Sequence, residues 1–364
     1  MELERFSLDR PVAFRFRGDL GEPSLLEAVE IEGFLMVPAS PDSAVRLRDM
    51  RLVGQLPGQD TTLSLSGDLT TRSDDPLRLI LSGGRLRIGS SEFDISFNYQ
   101  AGEPPAVDLL LSGAELDGAM AARTLAQRLA LNAAGLLAVV AKRIDLRSQL
   151  QFDRLRFGAI GLANARVDLR SKSGGLTVRL SAAFPGGMVD ANGVLSASEP
   201  GSVAIDVSLA EFSQLLDALE LPAVAGGSGE ARLLLHWPAA AASGFLLTGE
   251  ADLWQGFWRV VGDGDGEEPV RREFDRFSTD IRLTPGFLEL PAFVVQGSDL
   301  AGAGWAAVEL EGGRLGGEFL ASGPSAGRFD LSGTVSRPRL APAVPGDAEG
   351  EPAEQQEENP GIGQ

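Results

Sequence analysis

Residues 171–198 constrain the fold of this chain most strongly, because they carry the pattern of a complete β-hairpin. Apolar and polar residues alternate from Leu176 to Ala182, and a period of two places successive side chains on opposite faces of a sheet. The expected turn is Pro185, Gly186 and Gly187, since proline presets φ and glycine tolerates positive φ. A second strand from Met188 to Leu195 completes the unit.

Most of the chain repeats this unit, which predicts a mainly β protein. Runs such as Phe93–Phe97 alternate in the same way, and glycine turns such as Ser82–Gly84 separate them. We therefore expect a long curved antiparallel sheet, open as a groove and built of repeated hairpins. Residues 1–117 form its N-terminal meander, and residues 144–342 form its C-terminal β region.

Two segments break the β pattern and are predicted as short helical inserts. Within residues 118–143, apolar residues recur at helical spacing, and this insert is expected to cap or plug the sheet. The second insert, Ala210–Leu219, is amphipathic. Pro222 and the glycine-rich run Gly226–Gly229 are expected to end it, before a strand over Ala231–Trp237.

Composition excludes several classes of function. The net charge of −19 argues against a nucleic-acid partner, which favours a basic surface. The absence of cysteine excludes disulfides, thiol catalysis and cysteine-ligated metals. Residues 343–364 hold acidic residues and no basic one, and their Pro, Gly, Glu and Gln content predicts disorder.

No constellation for catalysis stands out, so we expect a protein that is not an enzyme and needs no cofactor or metal. His236 is the single histidine and lies among leucines, which favours a structural role. The loop Gly262–Glu268 lacks the ligand spacing of an EF-hand, and Gly312–Gly317 opens no helix that could cradle a phosphate. Trp254 and Trp258 are expected on one strand face, as packing residues.

The run LRFGAIGLANARVDLRSKSGGLTVRLSAAFPGGMVDANGVL resembles the C-terminal region of AsmA-like proteins of Gram-negative bacteria, a family related to the TamB and YhdP group. Phe184–Gly187 stands where the family has a turn like Tyr-Gly-Gly, here without the tyrosine. The helix at Ala210–Leu219 looks like the family's next helix. Gly333–Pro338 is similar to the closing Gly-Thr-Leu-x-x-Pro of the family.

The resemblance implies a periplasm-facing protein with an apolar groove that aids phospholipid transport or outer-membrane biogenesis and homeostasis. Its partners would be phospholipid acyl chains, with inner- and outer-membrane proteins as further candidates. Such proteins are anchored in the inner membrane by an N-terminal helix. Met1–Arg10 has no apolar core, so we expect any anchor to lie outside these residues.

The predicted groove is lined by alternating apolar residues of neighbouring hairpins. These residues are Leu176, Val178, Leu180, Val203, Ile205, Val207, Leu233 and Leu235. Periodicity alone leaves two alternatives open, because the same face could be the closed core of a β-sandwich. Two other functions also remain: a scaffold or assembly factor for outer-membrane proteins, and a β-solenoid surface protein.

Overall fold

All described strands belong to one sheet of 21 strands, and each strand pairs with its neighbours in the chain. The predicted mainly β architecture, a long curved antiparallel sheet that stays open, is confirmed. The computed structural model describes residues 2–3, 8–18, 27–40, 43–55, 62–72, 77–117, 143–157, 160–172, 175–196, 200–218, 225–237, 245–260, 270–298, 300–323 and 326–343.

The first part of the sheet is an antiparallel meander that ends where the long insert begins. Its strands are β1 (Glu2–Leu3), β2 (Val12–Gly18), β3 (Glu27–Met36), β4 (Val45–Gln55), β5 (Thr62–Arg72), β6 (Arg78–Ile88), β7 (Ser91–Gln100) and β8 (Ala106–Asp117).

The second part continues the meander to the end of the described chain. Its strands are β9 (Asp145–Phe157), β10 (Ile160–Lys172), β11 (Gly175–Phe184), β12 (Gly187–Ser196), β13 (Gly201–Leu209), β14 (Ala225–Trp237), β15 (Leu246–Val260), β16 (Val270–Leu283), β17 (Phe287–Gln296), β18 (Gly302–Glu309), β19 (Arg314–Ala321), β20 (Gly327–Thr334) and β21 (Arg337–Pro342). One helix, α1 (Phe212–Ala218), lies between β13 and β14.

The two parts are joined by a parallel pair, β8 with β9, in a sheet whose other pairs are antiparallel. A parallel pair needs a crossover of about a dozen residues or more, because the chain must return to the same end of the sheet. Residues 118–144 supply that crossover. The predicted helical insert 118–143 lies outside the described residues except for its last residue, Arg143.

The start of β9 is held in place by hydrogen bonds to one side chain of β10. Ser171 is buried, and its Oγ accepts a hydrogen bond from the Leu146 backbone N–H at 2.6 Å. The same hydroxyl donates to the Ile144 carbonyl oxygen. The sheet therefore continues without a break across the predicted boundary between residues 117 and 144.

Curvature comes from β-bulges, which bend a strand and increase its twist. One row of irregular positions crosses β3 to β6, with Gly33, Asp49, Gly67 and Gly83 at positive φ. Register shifts flank this row in the pairs β3–β4, β4–β5, β5–β6 and β6–β7. Further bulges lie at Asn164 in β10 and at Gln255 in β15.

Two local predictions from the sequence, a helix and a glycine-rich boundary after it, have different outcomes. Helix α1 (Phe212–Ala218) lies within the predicted insert at Ala210–Leu219. The expectation that Gly226–Gly229 separates this helix from a strand is wrong, because β14 already begins at Ala225. These glycines are strand residues at a close approach: a Cβ at Gly229 would overlap the Asp252 carbonyl oxygen of β15.

Candidate apolar groove

Strand register gives the sheet two chemically distinct faces. On one face, which we call the apolar face, an unbroken row crosses β8 to β14: Leu111, Leu150, Val167, Leu180, Ala191, Ile205 and Leu233. On the other, the polar face, a row crosses β7 to β16: Asp94, Ser112, Gln151, Arg166, Ser181, Asp190, Asp206, Arg232, Glu250 and Asp280. Alternation within each strand and pairing between strands therefore agree along these two rows.

All eight residues predicted to line a groove lie on the apolar face. Val178 is opposite Gly193, and Gly193 is opposite Val203, whose other neighbour is Leu235. The same pairing relates Leu180 to Ile205 through Ala191, and Ile205 is directly opposite Leu233. Leu176 and Val207 continue the alternation within β11 and β13. The register thus brings the eight side chains together on one face. That lipid binds to this face stays a prediction.

Burial of these eight residues is graded. Leu176 and Val203 are 4% and 7% exposed. The other six are half-buried. Leu234 falls on the polar face with 37% exposure, so the one residue that blurs the sequence pattern points away from the groove.

The apolar face extends well beyond the residues that the sequence singled out. Phe93 and Phe152, from β7 and β9, meet edge to face with ring centroids 6.0 Å apart and are 1% and 3% exposed. Leu155, Leu162, Ala165 and Ala182 complete a core cluster on this face. The signal was present in the alternation of each strand, but the rows become visible only when the order and register of the strands are known.

Two buried hydroxyl groups, those of Ser148 and Ser171, lie on the apolar face of the central strands. Ser148 pairs with Leu169 across β9 and β10 and is 4% exposed. Its Oγ has no hydrogen-bond partner among the described residues. The hydroxyl of Ser171, in β10, is hydrogen-bonded, and Leu146, Leu150 and Phe152 present apolar side chains on this face of β9.

The predicted turn at Pro185, Gly186 and Gly187 supports α1. Gly186 has φ +84°, and its carbonyl oxygen accepts the N–H groups of Ala210 and Glu211 at 2.7 and 3.1 Å. Gly187 has no room for a side chain, because a Cβ would overlap the Ser208 carbonyl oxygen. The β11–β12 turn is therefore attached to the start of the helix.

Glu211 caps α1 and connects it to β14. Its Oε1 accepts the Ser213 hydroxyl at 2.9 Å and the backbone N–H groups of Ser213 and Gly227 at 3.3 and 3.4 Å. The hydroxyl of Ser213 is the main cause that lowers the pKa of Glu211 below its ordinary value of 4.5. The carboxylate thus serves as an ionised N-cap, a role usually filled by shorter side chains.

The polar face carries exposed ion pairs. Asp252 accepts hydrogen bonds from the Ser278 hydroxyl at 2.6 Å and from Arg276 at 2.7 Å, and these lower the pKa of Asp252. Arg314 Nε donates a hydrogen bond to Glu309 Oε2 at 2.6 Å.

Three cavities of about 640, 320 and 460 Å³ are lined mainly by polar-face side chains of β6 to β10. None of these three cavities coincides with the predicted groove.

The remaining candidate residues of the sequence are placed as follows. His236 is exposed on the polar face of β14, opposite Ser202. No group of three potential metal-ligating side chains occurs within the described ranges, and the acidic loop at 262–268 lies outside them. No described helix is long and apolar enough to cross a membrane.

The expectation that Trp254 and Trp258 share a face is wrong. Trp254 pairs with Arg276 on the polar face, whereas Trp258 contacts the rings of Phe274, Phe277 and Phe293 on the apolar face. Gln255, at φ +51°, forms the bulge that separates them. One irregular residue reverses the alternation for the rest of the strand.

Comparisons with known proteins add no relative. No family model, no curated protein and no solved structure matches this chain.

Proposed function

We propose that the apolar face is a groove for phospholipid acyl chains and that the protein is a non-enzymatic, AsmA-like carrier facing the periplasm. The observation that carries this proposal is the row from Leu111 to Leu233, an apolar stripe seven strands wide. Strands lie about 4.8 Å apart, so this row extends roughly 29 Å. That length exceeds an ordinary acyl chain, which allows successive lipid positions along one surface.

Burial of hydrocarbon supplies the affinity. Removing apolar surface from water contributes about 0.8 kcal/mol per methylene group, without any requirement for a directed contact. Leu180, Ile205 and Leu233 are half-buried and offer similar apolar surroundings at adjacent strands. Shallow and similar sites permit a lipid to move between them, which is what transport toward the outer membrane requires.

The scaffold alternative receives less support at the C-terminal edge of the sheet. A scaffold that lends a strand edge needs free backbone donors. The edge strand β21 contains Pro338 and Pro342, and proline has no N–H group to donate. This edge therefore discourages addition of another strand.

Site-specific photo-crosslinking tests the proposal. A photoreactive residue at Val178, on the apolar face, should capture labelled phospholipid, whereas the same residue at the exposed Arg179 of the polar face should not. Equal capture at both positions would mean nonspecific adsorption. Capture at neither position would leave the groove without a lipid function.

A charge at the same position distinguishes a groove from a closed core. In Val178→Asp the carboxylate would be costly in a dry core, whereas an open groove lets water reach it. We expect lipid capture at Leu180 to fall at least ten-fold while the circular-dichroism melt stays cooperative. The matched control is Thr177→Asp on the polar face. If Val178→Asp unfolds and Thr177→Asp does not, a closed core is the better description.

A further inference from the structure

The last seven strands differ from the rest of the sheet because they roll up. In sheet order β15 and β21 are six strands apart, yet they contact each other. Such a contact requires the sheet to turn back on itself over this stretch. We call β15 to β21 the rolled end, and β2 to β14 the open part.

The inside of the rolled end is filled with aromatic rings of the apolar face. Phe277, Phe293 and Phe319 are 6%, 2% and 2% exposed. Phe293 and Phe319 are stacked at 6.0 Å with an interplanar angle of 14°, and Trp258 meets Phe277 at 5.2 Å. Interiors packed in this way have no space for an acyl chain.

Residues from both sides of the roll close over this aromatic cluster. Leu209 at the end of β13 and Phe212 of α1 pack against it from the open part. Phe329, Leu331 and Leu340 of β20 and β21 pack against it from the last strands. The aromatic cluster thus begins directly beside the eight predicted groove residues, three of which lie on β13.

We propose that the aromatic cluster is the end wall of the acyl-chain path, so that lipid occupies the open part and stops at β14. This inference rests on the proposed function. A blind end has a consequence for transport: lipid cannot leave past β21. It enters and leaves the groove across β2 to β14.

The test compares lipid capture at a groove position with capture at a position that packs against the aromatic cluster. A photoreactive residue replaces Leu233 of β14 or Leu331 of β20, both half-buried on the apolar face. With vesicle-derived labelled phospholipid we expect capture at position 233 to exceed capture at position 331 at least ten-fold. Ser332, exposed on the polar face beside Leu331, gives the background.

The outcomes separate the two proposals. Strong capture at 331, equal to that at 233, would overturn the wall while leaving the lipid groove in place. Background capture at both positions would overturn the groove and the wall with it.

A milder change of the wall gives an independent measurement. Phe319→Leu keeps an apolar side chain but removes one ring of the stacked pair, so we expect capture at 331 to rise at least three-fold with an unchanged fold. No change at 331 in a folded variant would mean that the rings do not limit the path.

Discussion

The open part and the rolled end are built from the same alternating strands but bury their apolar faces differently. In the open part, Leu180, Ile205 and Leu233 stay half-buried, although Phe93 and Phe152 of the same part are 3% exposed or less. In the rolled end, Phe293 and Val295 are 2% and 1% exposed. Strand periodicity therefore selects the apolar face but leaves undecided whether that face is sealed.

Glycine lies opposite phenylalanine in both regions, since Gly113 of β8 lies between Phe93 and Phe152 in the open part. Gly304 of β18 lies between Phe293 of β17 and Phe319 of β19, and the two rings stack over it. Gly256 of β15 faces Phe274 of β16 in the same way. A glycine leaves room for the ring of its neighbour, and such pairs allow a sheet to curl tightly around large side chains.

The largest expected effect is a loss of stability, which we expect to differ between a buried residue of the rolled end and a half-buried residue of the open part. Phe293→Ala should lower the free energy of unfolding by about 3–5 kcal/mol, because it leaves a cavity among packed rings. Val178→Ala in the open part should cost about 1 kcal/mol, since its side chain is half-buried. Urea unfolding followed by circular dichroism measures both. Equal losses would mean that the open part is as tightly packed as the rolled end.

A smaller effect is expected at the turn that supports α1, where the two regions meet. Gly186→Val should cost about 2 kcal/mol or more, because φ is +84° and a Cβ would overlap the Glu211 carbonyl oxygen. Gly83→Ala is the control, since it also has positive φ, at +59°, but has nothing within 4 Å of its Cβ position. The melting temperature of Gly186→Val should lie well below that of Gly83→Ala. An unchanged melting temperature in both variants would contradict the description of the hairpin.

The smallest expected effect depends on pH. The pKa of Glu211 is lowered in the folded state, so its contribution to stability is complete above the ordinary value of 4.5 and is lost as the pH falls through the folded pKa. Glu211→Gln should therefore lower the free energy of unfolding by about 1 kcal/mol at pH 7. The difference from the unsubstituted protein should shrink below pH 4.5 and vanish in strong acid. A difference that grows on acidification would assign Glu211 another role.

Much of the open part could be read from residue alternation. The hairpin of β11 and β12, its turn and the shared face of Leu176, Val203 and Leu235 all follow from a period of two and a meander order. The bulges could not be read in this way. Asp49, Asn164 and Gln255 adopt positive φ without a glycine to signal it, and each lies at a shift in register with a neighbouring strand.

The sequence by itself determined that this chain forms a sheet with one apolar and one polar face. Each strand carries that information locally, in the alternation of its own side chains. Only the tertiary structure decided that β8 and β9 run parallel, that Trp254 and Trp258 point to opposite faces and that β21 returns to β15. These features depend on contacts between residues far apart in the chain, and such contacts are set by bulges and ring packing that alternation does not encode.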